Sequence, residues 1–276
     1  MSNLINKIII FKNFIFLLIK SNFLRVSKIK PNHNLHKKLT VSITAKRERF
    51  FFLDLVLKSI LNQSIHPDEI ILWVEYKDKK KIPQKILKMK NYGIKILFCK
   101  NFKSYNKIIH TLNIRKENYI ITFDDDIFYH KDSIKYLLNK SLNNPKDIIA
   151  NRIHKIILDK KKLPIEYKKW KWNSTDSKKN KLNFLTGVYG VLYPPHSFYK
   201  NITNNKIFMK LSPAADDLWL YWMIRLNKKF IRWSNFDKKN FEIINLNNDS
   251  LRARNVENNY NDLKIKNLID YYGFPK

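Results

Sequence analysis

Three consecutive carboxylates, Asp124, Asp125 and Asp126, end an apolar run over residues 119–123. Ionisation of all three neighbours in a half-buried cleft is energetically unfavourable, because like charges raise one another's pKa. A divalent cation removes this conflict, and hard oxygen ligands select Mg²⁺ or Mn²⁺. Since Mg²⁺ usually shares its shell with water and substrate phosphates, the motif predicts a cation site for a phosphorylated ligand. An acidic turn between a strand and a helix is the alternative, because aspartate is common in turns.

A second acidic pair, Asp216 and Asp217, stands at the start of an apolar segment with helical spacing. Aspartate is favoured at the N-cap and interacts well with the helix dipole. The pattern therefore predicts a helix over residues 212–226 that is capped by one of the two acids. The other acid is then left to point away from the helix.

The elements that must position these acids follow from the alternation of two patterns. Runs rich in β-branched and aromatic residues are separated by segments whose apolar residues recur at helical spacing. Predicted strands cover residues 38–44, 69–74, 94–99 and 119–123, and predicted helices cover residues 51–62, 80–89 and 104–113. This order favours right-handed crossovers and a largely parallel sheet. The three acids then lie beyond the carboxyl end of a strand, where ligands bind in such sheets.

The second half of the chain has weaker patterns. A helix is predicted over residues 133–141, and strands are predicted within 145–154, over 184–193 and over 230–233. Gly187 and Gly190 interrupt the second of these strands and indicate a bulge or a close approach of backbone to a ligand. Residues 158–181 are rich in lysine without clear periodicity, which predicts a mobile loop or an excursion over the cleft.

The composition indicates a folded protein with an unusual charge. The chain has 276 residues, 44% of them hydrophobic, and a formal net charge of +31. Such a charge attracts nucleic acid, anionic lipid or nucleotide phosphates, although the abundance of lysine, asparagine and isoleucine also fits an AT-rich genome. The lysines are spread along the chain and no RNA-binding signature occurs, so no nucleic-acid partner is expected. The single cysteine, Cys99, excludes an internal disulfide framework and fits a reducing compartment.

Residues 1–38 differ from the rest and are predicted to form an apolar and basic segment that precedes a single domain over residues 39–276. The apolar run over residues 8–19 is broken by Lys12 and Asn13 and is too short to span a bilayer. It lacks the small-residue cleavage site of a signal peptide. A helix here would either lie in the membrane interface or pack on the domain. The expected location is cytoplasmic, with possible peripheral contact with the anionic inner membrane.

Six segments taken together resemble bacterial glycosyltransferases of the GT-A fold, close to the family 2 type. They are residues 41–47, 60–64, 67–73, 123–126, 186–195 and 215–219. The resemblance covers about residues 39–235 and depends on the order and spacing of the segments. It implies an α/β fold of the Rossmann-like nucleotide-diphospho-sugar transferase type, with a mostly parallel central sheet flanked by helices. It also implies inverting transfer of a sugar from a nucleoside-diphosphate sugar to a hydroxyl.

The resemblance also implies roles on the donor side. Thr44, Lys46 and Arg47 would contact the donor nucleotide, although the turn that they form departs from the usual family pattern. Asp124 would face the ribose or the metal, Asp125 would take either role, and Asp126 would be a ligand of Mn²⁺ or Mg²⁺. His196 is a possible further metal ligand, with an ordinary loop histidine as the alternative. Arg252 and Arg254 could reach the diphosphate, although a solvated basic stretch explains them as well.

On the acceptor side, Asp217 matches the catalytic base of the family, with Asp216 as the second choice. The base would accept the proton of the acceptor hydroxyl as the new bond forms. Gly187, Tyr189 and Trp219 are predicted to contact the acceptor, although core packing competes for Trp219. The expected acceptor is a glycan or a lipid-linked acceptor of the cell surface, such as lipopolysaccharide or capsule.

Two other classes of protein stay open at this stage. A sugar nucleotidyltransferase has a related fold but needs a glycine-rich loop after the first strand, and residues 44–49 contain no glycine. A nonenzymatic protein that binds polyanions, either nucleic acid or an anionic membrane, would also explain the basic charge.

Overall fold

A computed structural model of the chain describes residues 12, 14–24, 26–236, 242–243 and 259–275. The strands are β1 (Leu39–Thr44), β2 (Glu69–Glu75), β3 (Ile94–Cys99), β4 (Tyr119–Phe123), β5 (Ile127–Phe128), β6 (Ile148–Ala150), β7 (Ile153–Lys155), β8 (Asn183–Leu185), β9 (Val191–Tyr193), β10 (Ile231–Trp233) and β11 (Glu242–Ile243). The helices are α1 (residues 14–22), α2 (Leu53–Leu61), α3 (Gln84–Leu87), α4 (Asn106–Arg115), α5 (Ser133–Leu142), α6 (Asn205–Leu211), α7 (Asp216–Leu226) and α8 (Tyr260–Tyr272).

Seven strands form the central sheet in the order β10-β6-β9-β4-β1-β2-β3. β1 runs parallel to both β2 and β4, and β6 runs parallel to β10. β9 is antiparallel to its two neighbours, β4 and β6. Helices cover both faces, which is why β4 is buried along its whole length and needs no polar alternation. The predicted α/β fold with a mostly parallel central sheet is therefore confirmed.

The order of the strands creates a crevice between β1 and β4. From β1 the chain moves outward through β2 and β3, and it then returns to place β4 on the other side of β1. The connections that follow β1 and β4 therefore leave the sheet in different directions. Ligands of open α/β sheets bind at such a switch point, beyond the carboxyl ends of the two strands.

Two predicted strands are each divided in two. The segment 145–154 contains β6 and most of β7, and the segment 184–193 contains most of β8 and all of β9. β6 and β9 belong to the central sheet, whereas β7 and β8 pair with each other in a separate sheet of two strands. Gly190 lies at the second division with φ +101°, and an added Cβ there would collide with the ring of Phe123. Glycine is therefore required here because the backbone closely approaches a side chain of β4, whereas the predicted approach was to a ligand.

Two regions are more ordered than their sequences suggested. Within the segment predicted as a mobile loop, Trp170 is buried and its indole nitrogen donates a hydrogen bond of 2.9 Å to the carbonyl of Ile165. Residues 227–276 are polar and rich in asparagine and lysine, yet they contain α8, which packs on α6 and α7 through the buried side chains of Ile265 and Leu268. Arg252 and Arg254 lie outside the described residues.

Helix α1 has one face in the core and one apolar face in solvent. Leu17 is buried against the sheet and its helices. Five large apolar side chains of the same helix and the turn after it are exposed, namely Ile15, Phe16, Leu18, Ile19 and Phe23. Among the described residues no helix is both long enough and apolar enough to cross a membrane.

Candidate active site

A cavity of about 460 Å³ lies at the switch point. Its wall includes most of the residues predicted to do chemistry, namely Thr44, Lys46, Arg47, Asp124, Asp125, Asp126, Gly187, Asp216 and Asp217. The loop after β1 supplies the first three and the loop after β4 supplies the acid triplet. The start of α7 brings Asp216 and Asp217 to the same place. Two acidic groups from distant parts of the chain therefore share one cavity.

Arg49 connects the two sides of the crevice. It lies in a short turn of 3₁₀ helix after β1, and its guanidinium forms ion pairs with Asp125 and, at 2.9 Å, with Asp126. The backbone N–H of Lys46 donates a further hydrogen bond of 3.1 Å to Asp125. These contacts tie the turn after β1 to the acid triplet.

The acid triplet holds more negative charge than its surroundings neutralise. Burial raises the pKa of Asp126 to about 7, and the charges of Asp125 and Asp124 add to this effect while Arg49 opposes it. Burial likewise raises the pKa of Asp125 in spite of its contact with Arg49. Carboxylates whose ionised forms are disfavoured in this way would be stabilised by an added cation.

Lys107 lies between the two acidic groups. It belongs to the first turn of α4, it is buried, and its ammonium nitrogen is 2.5 Å from Asp124 and 3.3 Å from Asp216. Burial alone would lower the pKa of Lys107, but the charges of Asp124, Asp216 and Asp217 outweigh burial and hold this pKa well above its usual value. Lys107 is therefore a charged internal link between the acids.

The prediction that one of the two acids caps α7 is wrong. The N-cap position is occupied by Ala215, and no side chain accepts a hydrogen bond there. Asp217 instead accepts a hydrogen bond of 3.0 Å from the backbone N–H of Gly187. Burial and the charge of Asp216 raise the pKa of Asp217 to about 8, although Lys107 opposes them. A carboxylate with a pKa near neutrality is suited to exchange a proton with a substrate.

Gly187 brings the chain into direct contact with this cluster. A Cβ added to Gly187 would lie 2.9 Å from the ammonium nitrogen of Lys107 and 3.3 Å from a carboxylate oxygen of Asp217. The first distance is shorter than a normal Cβ contact and the second is tight, so a side chain at this position would displace the end of Lys107. Glycine therefore lets the backbone lie directly against the acids and the lysine.

The structure contradicts the prediction that His196 is a metal ligand. β9 is antiparallel to β4, and Tyr193 at its end pairs with Ile120 near the beginning of β4. His196 follows β9 and therefore lies at the sheet edge opposite to the acid triplet. There it is largely exposed, 3.3 Å from the carboxylate of Glu117.

Burial also contradicts the predicted acceptor contact of Trp219, and the predicted contact of Tyr189 lies outside the cavity wall. Trp219 is fully buried on α7, and its indole nitrogen donates a hydrogen bond of 3.0 Å to the carbonyl of Ile202. Tyr189 is half-buried and packs against the apolar core that contains Phe123. The guanidinium carbon of Arg152 lies 5.9 Å from its ring centre. Neither side chain lines the cavity. Packing against neighbouring elements thus decided both positions.

Lys107 and Arg49 were not identified from the sequence. Lys107 occupies a buried position of α4 beside Ile108 and Ile109, and a lysine on the buried side of a helix was the available signal. Arg49 is one of several basic residues in its turn, and nothing in the pattern separates it from Arg47. Four aromatic side chains of the cavity wall were also missed, namely His154, Tyr167, Trp172 and Phe184.

The carboxylates of the triplet fit a cation that also binds a phosphorylated ligand. Among the described residues, no three aspartate, glutamate, histidine or cysteine side chains are grouped closely enough to enclose a metal. Mg²⁺ and its analogues do not need such a cage, because they are commonly held by one or two carboxylates with substrate phosphates and water. The raised pKa of Asp126 shows that added positive charge near this carboxylate would favour its ionised form.

Comparison with known families identifies the class of protein. A sequence model described as "Glycosyl transferase family 2" matches residues 40–208. The chain therefore belongs to glycosyl transferase family 2 and has the GT-A fold. A search of curated proteins finds no match.

Solved structures with similar folds include two of S. aureus TarS 1-349, one in complex with UDP-GlcNAc and one with UDP. Their TM-scores are both 0.46, with 13% and 14% sequence identity, and they cover 74% of this chain. This chain spans only 57% and 59% of those TarS chains. Another is 4-diphosphocytidyl-2C-methyl-D-erythritolsynthase from Anaerococcus prevotii, with TM-score 0.47, 14% identity, and coverage of 76% of this chain and 93% of that one.

Proposed function

We propose that this protein is an inverting, metal-dependent glycosyltransferase, which moves a sugar from a nucleoside-diphosphate sugar to a hydroxyl of a glycan acceptor. The observation that carries the proposal is the meeting of Asp124–Asp126 with Asp216–Asp217 in one cavity at the switch point. Membership of glycosyl transferase family 2 supports the same reaction class. The donor would be a nucleotide sugar, as in the TarS complex with UDP-GlcNAc.

The donor would occupy the side of the cavity formed by β1 and β2. Thr44, Lys46 and Arg47 would contact its nucleotide. Asp126, together with Asp124, would hold Mn²⁺ or Mg²⁺, and Asp125, already bonded to Lys46 and Arg49, would keep the turn after β1 closed on the nucleotide. When bound, the cation neutralises charge that develops on the leaving diphosphate.

Asp217 would act as the base for the acceptor. Inversion requires one base on the side of the sugar opposite to the leaving group, and it takes the proton from the attacking hydroxyl. The hydrogen bond from Gly187 fixes one carboxylate oxygen of Asp217 and leaves the other for the acceptor. Asp216 is held by Lys107 and is the second candidate.

The acceptor would be a cell-surface glycan, such as lipopolysaccharide or capsule, that is assembled at the cytoplasmic face of the inner membrane. The exposed apolar face of α1 supports peripheral contact with that membrane. Lys20 lies on the same helix, with its ammonium nitrogen 5.7 Å from the ring centre of Phe16. An apolar helix face with a neighbouring lysine suits an interface that contains anionic lipid.

A thermal-shift panel tests the proposed function. UDP, GDP, CDP and ADP are each added to the full chain with and without Mn²⁺, because a ligand that binds the folded state raises the melting temperature. We expect one nucleoside diphosphate to stabilise the protein more strongly with Mn²⁺ than without it. A nonenzymatic polyanion-binding protein would instead respond to RNA and show no such synergy, and that result would overturn the proposal.

A further inference from the structure

The cavity continues past the acids to a group of aromatic side chains. Tyr167, Trp172 and His154 line the same cavity as Asp217. His154 lies in β7, which follows β6 along the chain, and Tyr167 and Trp172 lie in the connection between β7 and β8. In the central sheet, β9 and β4 separate β6 from β1, which the nucleotide turn follows. The acids therefore separate a donor end from an aromatic end.

Trp172 is held firmly at that end. Backbone hydrogen bonds of 2.9 and 3.0 Å join Lys155 of β7 to Lys171, the residue before it. The N–H of Asn173, the residue after it, donates a hydrogen bond of 3.0 Å to the ring of His154. The indole also lies 4.7 Å from the His154 ring and 5.6 Å from the Tyr167 ring, between ring centres. A half-buried indole fixed in this way can pack against the apolar face of a sugar ring without ordering cost.

The segment that carries these aromatics is strongly basic. Residues 158–181 contain nine lysines but only three acidic residues. Lys168 and Lys171 are exposed, and in the chain they adjoin Tyr167 and Trp172, which line the cavity. A segment of this charge attracts an anionic group and repels a cationic one.

We propose that residues 158–181 form the acceptor subsite and that the acceptor is an anionic saccharide. Trp172 packs against its sugar ring, Lys168 and Lys171 face its carboxylate or phosphate, and the reacting hydroxyl points toward Asp217. This inference rests on the proposed function and adds to it the chemical class of the acceptor. It also replaces Trp219 and Tyr189 by Trp172 and Tyr167 as the aromatic contacts.

Saturation-transfer NMR on the full chain tests the subsite, with UDP and Mg²⁺, which is diamagnetic, present to fill the donor end. The probes are 3′-sialyllactose, a galacturonic acid trimer and mannose 6-phosphate, compared with the neutral lactose, maltotriose and mannose. We expect at least one anionic probe to bind at least ten-fold more tightly than its neutral counterpart. The carboxylate and phosphate probes distinguish the two possible anions. Equal binding of every pair, or no binding of any anionic probe, overturns the proposal.

Matched variants locate the binding. Trp172→Ala should weaken the preferred probe at least ten-fold, whereas Trp233→Ala, a half-buried tryptophan outside the cavity, should leave it unchanged. Lys171→Gln should reduce the preference for the anionic probe. Lys146→Gln, exposed and outside residues 158–181, serves as its control. Unchanged binding by Trp172→Ala contradicts the subsite.

The donor end gives an independent check on the variants. Trp172→Ala should keep the full thermal stabilisation by the nucleoside diphosphate, which also shows that the variant is folded. A wild-type protein that no nucleoside diphosphate stabilises contradicts the proposed function itself. The two failures are therefore distinguishable.

Discussion

The ammonium nitrogen of Lys107 lies 2.5 Å from the carboxylate of Asp124, and both groups face the cavity where Asp216 and Asp217 also lie. One buried cation thus bridges the acids that follow β4 and the acids that begin α7. A buried charge is tolerated only when it is paired, so each partner depends on the other. This pairing fixes the distance between the donor side and the acceptor side of the site.

Replacement of Lys107 by Met should therefore impair both stability and catalysis. Removal of one partner of a buried ion pair costs about 3–5 kcal/mol of unfolding free energy. Because Lys107 lowers the pKa of Asp217, its loss should also move the rising limb of the pH–rate profile to higher pH. Urea denaturation and rates of nucleoside diphosphate release measure the two effects. Lys116→Met, outside the cavity, is the control, and an unmoved pH limb in a folded Lys107→Met protein would contradict the link.

Asp217→Asn should separate binding from transfer. Loss of a general base typically slows a reaction by about 10²–10⁴-fold, whereas the donor contacts lie elsewhere. We expect unchanged thermal stabilisation by the nucleoside diphosphate with Mn²⁺ but little product. In the wild type the rate should rise with pH toward about 8, since Asp217 must lose its proton to act as a base. Full transfer by Asp217→Asn would move the base to Asp216 or elsewhere. Asp270→Asn, exposed on α8 and outside the cavity wall, is the control.

Asp126→Ala should abolish the synergy between Mn²⁺ and the nucleoside diphosphate. A metal ligand must be deprotonated, so metal competes with the proton at a carboxylate. Because the pKa of Asp126 is raised to about 7, the effect of Mn²⁺ in the wild type should be weaker at about pH 6 than at about pH 8. Thermal-shift titrations with Mn²⁺ at both pH values measure this. Retained synergy in Asp126→Ala would exclude Asp126 as a ligand.

The acids of the cavity should make the ligand-free protein less stable as the pH rises. Asp126 and Asp217 have pKa values of about 7 and about 8 in the folded state, against an ordinary value of 3.8. The folded state therefore binds more protons than the unfolded state across this window, and stability falls with increasing pH. Asp126→Asn and Asp217→Asn should each raise the melting temperature at about pH 8, by about 2–4 °C for each kcal/mol recovered. An unchanged melting temperature in both variants would show that ionisation of these acids does not destabilise the folded state.

Substitutions on α1 should weaken membrane contact without affecting the active site. Phe16→Ser with Ile19→Ser removes two exposed apolar side chains, whereas Leu17 on the buried face stays in place. Sedimentation with vesicles of phosphatidylglycerol and phosphatidylethanolamine should show reduced binding, since interfacial helices bind through buried apolar area. Ile114→Ser, exposed on α4, is the matched control. Equal sedimentation of the double variant and the wild type would leave α1 without a role at the membrane.

Much of the sheet was predictable because each strand carries its own local signal. The runs that became β1 to β4 are apolar and short, and the segments between them have helical spacing, so right-handed crossovers and a largely parallel sheet followed. The position of β4 beside β1 was not predicted. The later strands were harder, because β6 to β9 contain only three residues each. At that length the pattern does not reveal that β7 and β8 leave the central sheet.

Helix α8 shows a related limit. Ile265 and Leu268 are its buried apolar residues, and they stand among asparagine, lysine and tyrosine. Two apolar residues are too few to predict a helix from the sequence. Their burial becomes evident only from the packing of α8 on α6 and α7. Order in the lysine-rich segment was not predicted for a similar reason, because Trp170 packs against Tyr167 and the distant Phe184. The alternative prediction for this segment, an excursion over the cleft, agrees with Tyr167 and Trp172 in the cavity wall.

The sequence by itself determined that carboxylates would stand at the end of a buried parallel strand, because local hydrophobic runs specify strands and sheet handedness specifies their direction. Only the tertiary structure decided which side chains meet there. The antiparallel direction of β9 sent His196 to the far edge and brought Gly187 to Asp217, while the packing of α4 placed Lys107 among the acids. These contacts join residues far apart in the chain, and no local pattern encodes a distance between them.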